Sequence, residues 1–539
     1  MPRMSGAQAL ARQLRSEGVD AIFTLPGVQI MAAFDALYDL RDDIQLVHTR
    51  HEQATTYMAD GYSKATGKVG VAMVVPGPGA LNATAGLGTA FASSSPVLLV
   101  SGQIASNTLG KRQGQLHEVE DQLDVFKPIT KWNHRVTEVG EIPEAVHEAF
   151  RQLTTGRPRP VELEVPPDTL AALGDADIIE PEVYPSAVAD ADAIRRAAEV
   201  LARAERPAII AGGGTIISGA ADELREVAEF LQASVMTTQQ GKGALPNDHD
   251  LMVGVNYALV EPVKHVLPDC DALLAVGTRL LFRAFEPNSI PPIVHIDADA
   301  TEIGKNLPTE VGIVGDAKQA LRQLLERLRA ISAPKESRSQ EIAGYRQSAD
   351  NDLDELASDQ LQIIQDIRGA LDDDDILVSG MTNIGYWSHV AYPVNTPRTY
   401  LTSSYFGTLG YAYPTALGAK VGMPDKRVVA LCGDGGFMYN IQELSTAARY
   451  GINAVAVVFN NHAYGASMWD QTHQYGERFI GTDLNNPDFL KVAEAFGVTG
   501  MKAEPANIGE ALHQALQSDA PVLLEVELPN MMPPFQIVR

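Results

Sequence analysis

The sequence predicts an α/β protein of three consecutive doubly wound parallel-sheet domains, and three observations carry that expectation. Apolar runs of strand length alternate with amphipathic, helix-like stretches through most of the chain, the rhythm of parallel sheets covered by helices on both faces. At 539 residues the chain is too long for one hydrophobic core. Two passages break the rhythm: residues 172–193, rich in Asp, Ala and Pro, and the polar stretch 333–356. Both read as interdomain connections. The expected domains are therefore 1–171, 190–330 and 360–530.

In the first of these, IQLVHTR, VGVAMVV and PVLLVSG look like buried strands. HEQATTYMADGYSKATG and GALNATAGLGTAFASS lie between them as helices. In the third, DILVSG, VVALCGDG, AVAVVFNN and PVLLEVEL take the strand role. The first and third domains have a similar texture, which hints at related folds.

Composition narrows the function classes. A hydrophobic share of 45% and a charged share of 20% describe an ordinary globular chain. The net charge of −26 argues against nucleic acid or an anionic membrane as partner, because phosphates need a basic face. No run of eighteen apolar residues is present to span a bilayer, and the N-terminus lacks a signal-peptide core. The two cysteines, Cys270 and Cys432, are far apart and suit neither a disulfide framework nor a zinc site. A cytoplasmic location is expected.

The chemistry concentrates in residues 433–461, GDGGFMYNIQELSTAARYGINAVAVVFNN. A strand ends at GDGG, MYNIQELSTAARYG has helical spacing with a glycine stop at Gly451, and a second strand ends at Asn460 and Asn461. In a right-handed βαβ unit both strand ends share the ligand-binding edge of the sheet, so Asp434 and Asn461 become neighbours. A hard carboxylate oxygen and an amide oxygen, rather than a His or Cys set, suit Mg²⁺ or Ca²⁺ rather than zinc. Magnesium takes its remaining oxygens from phosphates and water, and the helix following the glycines offers free N–H groups, so a metal-bridged diphosphate is the expected ligand.

Taken together, GDG, helix, strand and NN resemble the thiamin-diphosphate signature shared by pyruvate decarboxylase, benzoylformate decarboxylase and acetolactate synthase. The resemblance implies that Asp434, Asn461 and the backbone carbonyl of Ala463 hold Mg²⁺, with Gly433, Gly435, Gly436, Tyr464 and Gly465 around the cofactor. VHTRHEQATTYMADGYSKATG looks like the family segment whose glutamate, here Glu52, activates the cofactor aminopyrimidine from the first domain of a neighbouring subunit. A carboxyl group at the pyrimidine ring nitrogen favours the imino tautomer, which can accept a proton. The neighbouring His51 is as compatible with a structural role as with a catalytic one. SSYFGTLGYAYPTALGAK resembles the segment beneath the thiazolium, with Gly407 and Leu409 in place. VVPGPGALNATAG places Gly77 and Gly79 where the backbone must approach closely. A shared site implies a homodimer at least, and a homotetramer is usual in the family.

RPAIIAGGGTIISGA and PPIVHIDADATEIGKN resemble the family's central, Rossmann-like domain, where acetolactate synthases and pyruvate oxidases bind FAD. The loop GVNYALVEPVKH and the stretch RLLFR depart from the synthase pattern, although Arg279 keeps the arginine position. No tightly bound FAD is expected, and FAD is not excluded. Substrate-side segments also differ: NIGYW occupies 383–387, and GQLHE brings His117 to the pocket as a proton donor or acceptor. His462, Tyr464 and Trp469 line the pocket or serve as packing. The resemblance implies an acetolactate-synthase-like decarboxylase or carboligase acting on a small 2-oxo acid. A C–C lyase of the 2-hydroxyacyl-CoA or benzaldehyde lyase kind and a flavin-dependent pyruvate oxidase are the alternatives.

Overall fold

The structure, a computed structural model, describes residues 2–257, 260–281 and 290–535. Three six-stranded sheets dominate it, and all of their strand pairs are parallel. The first runs edge to edge through Gln45–His48, Ala21–Thr24, Gly70–Val74, Val97–Gly102, Val161–Val165 and Trp132–Arg135. The third runs through Tyr400–Thr402, Ile376–Ser379, Val428–Gly433, Val455–Asn460, Val522–Glu527 and Thr499–Ala503. Counted along the chain, both sheets have the order 2-1-3-4-6-5, so the similar texture of the two sequences reflects one topology. The central sheet has the order 3-2-1-4-5-6 of a dinucleotide-binding fold, from Met252–Asn256 at one edge to Val311–Val314 at the other.

The central strands of these sheets are buried on both faces, which is why their sequences read as continuous apolar runs, whereas the edge strands Gln45–His48, Trp132–Arg135 and Thr499–Ala503 are partly exposed. The first and third domains share a core. The Glu52–Thr66 helix crosses the Ala412–Gly422 helix, and small residues let the backbones meet: Gly61 lies against the Thr415 carbonyl and Gly418 against the Met58 carbonyl. Phe23, Tyr57 and Leu87 join Tyr411, Leu417 and Phe489 in one apolar cluster. The central domain keeps its own cluster.

Two connections differ from their sequence reading. Leu173–Asp175 pairs antiparallel with Arg3–Ser5, and regular structure resumes only where Asp190 caps the Ala191–Arg203 helix. The polar stretch 333–356 is largely helical and belongs to Ser339–Gly369, which is interrupted at Ala357, where φ −155° and ψ 41° leave the helical region. Its sparse apolar residues divide between two cores, Ile342 entering the central cluster and Ile363, Ile364 and Ile367 the third-domain cluster. Tertiary contact at both ends thus supports a helix that composition alone leaves undeclared.

Candidate functional site

Val428–Gly433 and Val455–Asn460 are hydrogen-bonded neighbours, so the residues that follow them meet at one sheet edge. Asp434 is 2% exposed. Its Oδ2 accepts a hydrogen bond from Asn486 Nδ2 at 2.7 Å, and the same nitrogen donates to Asn460 Oδ1 at 2.9 Å. Asn460 in turn donates to Glu525 Oε1 at 2.8 Å, which fixes the strand end.

Asn461 completes the group. As placed, its side-chain oxygen faces only acceptors; the corresponding end of the amide lies 3.0 Å from the Ala463 carbonyl oxygen and 3.3 Å from Asp434 Oδ1. Turning the amide would satisfy both through its NH₂ group. With the amide oxygen at this point instead, a carboxylate, an amide and a carbonyl oxygen would converge on one place, as the ligands of a bound cation do. Burial raises the Asp434 pKa, opposed by hydrogen bonds from Asn486 and from the Gly435 and Ala463 amides. A bound cation would offset that desolvation. Among the described residues no group of three or more His, Cys, Asp or Glu side chains gathers as a metal site. The oxygen set therefore fits Mg²⁺ better than a soft or borderline metal.

Two of the glycines around it have steric reasons. A Cβ on Gly435 would lie 2.6 Å from the Tyr464 ring, and one on Gly465 would lie 2.5 Å from Asn461 Nδ2. Gly436 faces Leu409, whose Cδ2 is 3.7 Å from the Cβ position, and Gly407 is left-handed at φ +61°. Gly433 caps the short Asp434–Phe437 turn of helix. The single helix read from MYNIQELSTAARYG is instead broken: the turn at Asp434–Phe437, a 3₁₀ segment at Ile441–Glu443 and a helix at Leu444–Tyr450 follow one another. Helical N–H groups thus begin at Asp434 itself rather than after the glycines. Gly451 ends the last piece in the left-handed region, as its position in the sequence implies.

Glu52 belongs to a second cluster, at the ends of strands in the first sheet. It opens the Glu52–Thr66 helix; its Oε2 accepts from Asn82 Nδ2 at 3.0 Å, and its Oε1 lies 3.5 Å from the Cβ position of Gly79. His51 caps that helix, its Nδ1 accepting from the Gln53 amide at 3.2 Å, which gives the imidazole a structural role. Gly77 has φ +59°, and a Cβ there would lie 2.5 Å from the His117 carbonyl oxygen. The Gly77 amide donates to Gln122 Oε1 at 2.8 Å. His117 is itself left-handed at φ 69°, and its buried Nδ1 has no hydrogen-bond partner among the described residues. Glu52, Gly77, Gly79 and His117 therefore form one group.

The other substrate-side residues separate. Tyr464 packs on Gly435, His462 donates its amide to Asn460 Oδ1 at 3.2 Å, and Trp469 stacks on His473 at 4.1 Å. In NIGYW, Trp387 Nε1 donates to the Met532 carbonyl at 2.8 Å and Tyr386 meets Phe535 edge-on, so this segment packs against the chain's last described residues. Asn486 and Asn460 were not singled out by sequence reasoning. Asn486 reaches Asp434 from an irregular segment 52 residues later, and no periodicity marks it.

A cavity of about 1090 Å³ lies between the domains, lined by Gly212, Gly214, Gly277, Arg279 and Asp297 and extending to Met381 and Gly407. Burial pushes Asp297 up to about 6. The cavity has room for a nucleotide, so the expectation about FAD rests on the altered loop residues and not on space. Part of RLLFR lies outside the described residues, as do two residues of GVNYALVEPVKH.

Comparison with known proteins finds three matching family descriptions in chain order. Residues 4–125 match the thiamine pyrophosphate enzyme N-terminal TPP binding domain, 194–324 the central domain, and 380–526 the C-terminal TPP binding domain. A probable acetolactate synthase large subunit of Methanocaldococcus jannaschii is 38% identical, the alignment covering 98% of this chain and 94% of that relative. The acetolactate synthase large subunit of Lactococcus lactis is 32% identical over 97% of this chain and 92% of its own length. A probable 2-ketoarginine decarboxylase of Pseudomonas aeruginosa is 35% identical over 92% and 88%.

Proposed function

We propose, from the premise that the chain belongs to the thiamine pyrophosphate enzymes as an acetolactate-synthase-like member, that it binds thiamin diphosphate with Mg²⁺. Its reaction is decarboxylation of a small 2-oxo acid and joining of the remaining fragment to a second carbonyl compound. The observation that carries this reading is the convergence of Asp434, Asn461 and the Ala463 carbonyl on adjoining strand ends.

Thiamin diphosphate, when bound, supplies a nucleophilic carbon for the 2-oxo carbonyl and an electron sink for the pair left by departing CO₂. The chain's residues do the rest. Asp434, Asn461 and the Ala463 carbonyl would hold a cation, which would supply positive charge to the diphosphate. Glu52 would hold a proton at the pyrimidine ring nitrogen, and Leu409 would pack against the cofactor. Gly77 and Gly79 keep side chains away from the Glu52 carboxyl group. His117 is suited to passing a proton to substrate, because its buried Nδ1 is unpartnered among the described residues and its backbone is held in a strained conformation.

The two clusters lie on different domains, and exposed apolar side chains flank each. Val28, Leu81 and Leu116 are on the first domain, and Met438, Tyr439, Phe479 and Ile480 are on the third. Such patches fit burial against a second copy of the chain, with Glu52 of one protomer serving the metal group of its partner. A homodimer, paired further into a tetramer, is the assembly proposed. The two free thiols, Cys270 and Cys432, fit a reducing cytoplasm.

The test supplies the purified protein with thiamin diphosphate and Mg²⁺ and measures CO₂ and acetolactate from pyruvate. Longer 2-oxo acids and 2-hydroxyacyl thioesters run alongside. CO₂ with acetolactate is the expected result. CO₂ with free aldehyde from longer acids would make the enzyme a simple decarboxylase, and aldehyde without CO₂ would make it a lyase. No cofactor-dependent turnover of any of them would overturn the reading.

A further inference from the structure

The buried carboxylate of Glu443 has no place in the chemistry described so far. It lies nine residues beyond Asp434, on the third domain, with its side chain fully excluded from solvent. Its hydrogen-bond partners come mainly from the first domain. Glu443 Oε1 accepts from the Arg50 amide at 3.0 Å and from the His51 amide at 3.1 Å, while Oε2 accepts from the Arg50 amide at 3.2 Å and from Thr446 Oγ1 at 2.6 Å. The two peptide units so held, 49–50 and 50–51, come just before Glu52, the first residue of its helix.

The other end of the same third-domain helix grips the same segment. Tyr450 Oη lies 2.6 Å from His48 Nδ1 and accepts from the His48 amide at 3.1 Å. Residues 48–51 are thus fastened at both ends of Leu444–Tyr450. An ordinary core position would carry an apolar residue here. Burial pushes Glu443 up to about 7, so a carboxyl group at this place is costly and is retained against that cost.

We propose that Glu443 is a positioning residue for Glu52: it anchors the 49–50 and 50–51 peptide units and so fixes the direction in which the Glu52 carboxyl group leaves its helix. The inference rests on the role given to Glu52 above. Glu443 touches neither substrate nor cofactor. It connects the loop carrying the metal group of a chain to the acid which that same chain presents elsewhere.

Amide hydrogen exchange of Arg50 and His51 tests the anchor in the protein without cofactor. Exchange of the bound cofactor's thiazolium proton with deuterium tests its consequence. In Glu443→Ala the two amides should lose about tenfold or more of their protection, as expected for removal of a charged acceptor. Thiazolium proton exchange should slow by a similar or larger factor, with affinity for thiamin diphosphate and Mg²⁺ unchanged. Glu443→Gln keeps one oxygen for both amides and an NH₂ for Thr446 Oγ1, so it should restore most of both readouts; it also serves if the alanine variant fails to fold. Unchanged amide protection in the alanine variant would overturn the anchor. Lost protection with normal proton exchange would overturn the positioning role. If wild-type protein fails to accelerate the proton exchange, the role of Glu52 falls with it, and the cofactor-free amide measurement still decides whether the anchor exists.

Discussion

Glu52 and Asp434 are both carboxylates, and their surroundings separate their tasks. Asp434 is sunk at a sheet edge among oxygen atoms, whereas Glu52 sits part-exposed at a helix start with one amide partner. Glu52→Gln should leave cofactor and Mg²⁺ affinity unchanged while thiazolium proton exchange falls by about 10²-fold or more, read by NMR in D₂O. Asp434→Ala should do the reverse, abolishing Mg²⁺-dependent cofactor retention in calorimetric titration. Retention of the cofactor after chelator dialysis of that variant would remove the metal assignment. Away from the site, His389 is fully buried, its Nδ1 2.8 Å from Tyr400 Oη. Burial, with the Lys242 cation second, lowers its pKa from 6.5 to about 3. The folded protein therefore holds the imidazole neutral where the unfolded chain protonates it. That contribution to stability is complete above about pH 6.5 and is lost as pH falls toward 3, at about 1.4 kcal/mol per unit. Urea midpoints of wild type should fall more steeply over this range than those of His389→Gln.

At the scale of elements, the crossing of Glu52–Thr66 with Ala412–Gly422 has the least tolerance. A methyl group at Gly61 or Gly418 would strike the opposing backbone carbonyl, which cannot swing aside as a side chain can. Gly418→Ala should cost about 1–3 kcal/mol in chemical unfolding. The first of these helices was legible in HEQATTYMADGYSKATG, whereas Ala412–Gly422, apolar on nearly every face and carrying Pro414, gives no amphipathic pattern to read. The parallel strands were legible from their apolar runs, and with them the meeting of Asp434 and Asn461. In MYNIQELSTAARYG the spacing of Ile441, Leu444 and Ala448 does fall on a helical run that ends at Gly451, and only its opening differs, with turn residues after Phe437 and a 3₁₀ turn at Ile441–Glu443. The 333–356 stretch reads as a connection without declaring its helix, since that helix depends on apolar residues shared between two cores. Asn486 and Glu443 stayed hidden because their partners are remote in sequence, and neither residue type announces a role by pattern.

Across the whole molecule, the cores predict how the chain comes apart. The first and third domains share one apolar cluster and the central domain has another, with Lys242 donating to the Ser388 and His389 carbonyls at 3.1 Å as a tie between central and third domains. Calorimetry should resolve a transition for the central domain from a joint transition of the other two. Lys242→Met should shift their separation without altering the site. The shared strand order 2-1-3-4-6-5 has a further consequence. Equivalent places in the two sheets can be compared directly: after the second strand the first domain carries Glu52 and the third carries serines, Ser403 and Ser404. After the third strand the first domain carries Gly77 and the third carries Asp434. The molecule is a near-duplicate in scaffold and a complement in chemistry, each half blank where the other is inscribed. A site needs one half of each kind, and neither half can be read as a smaller version of the whole.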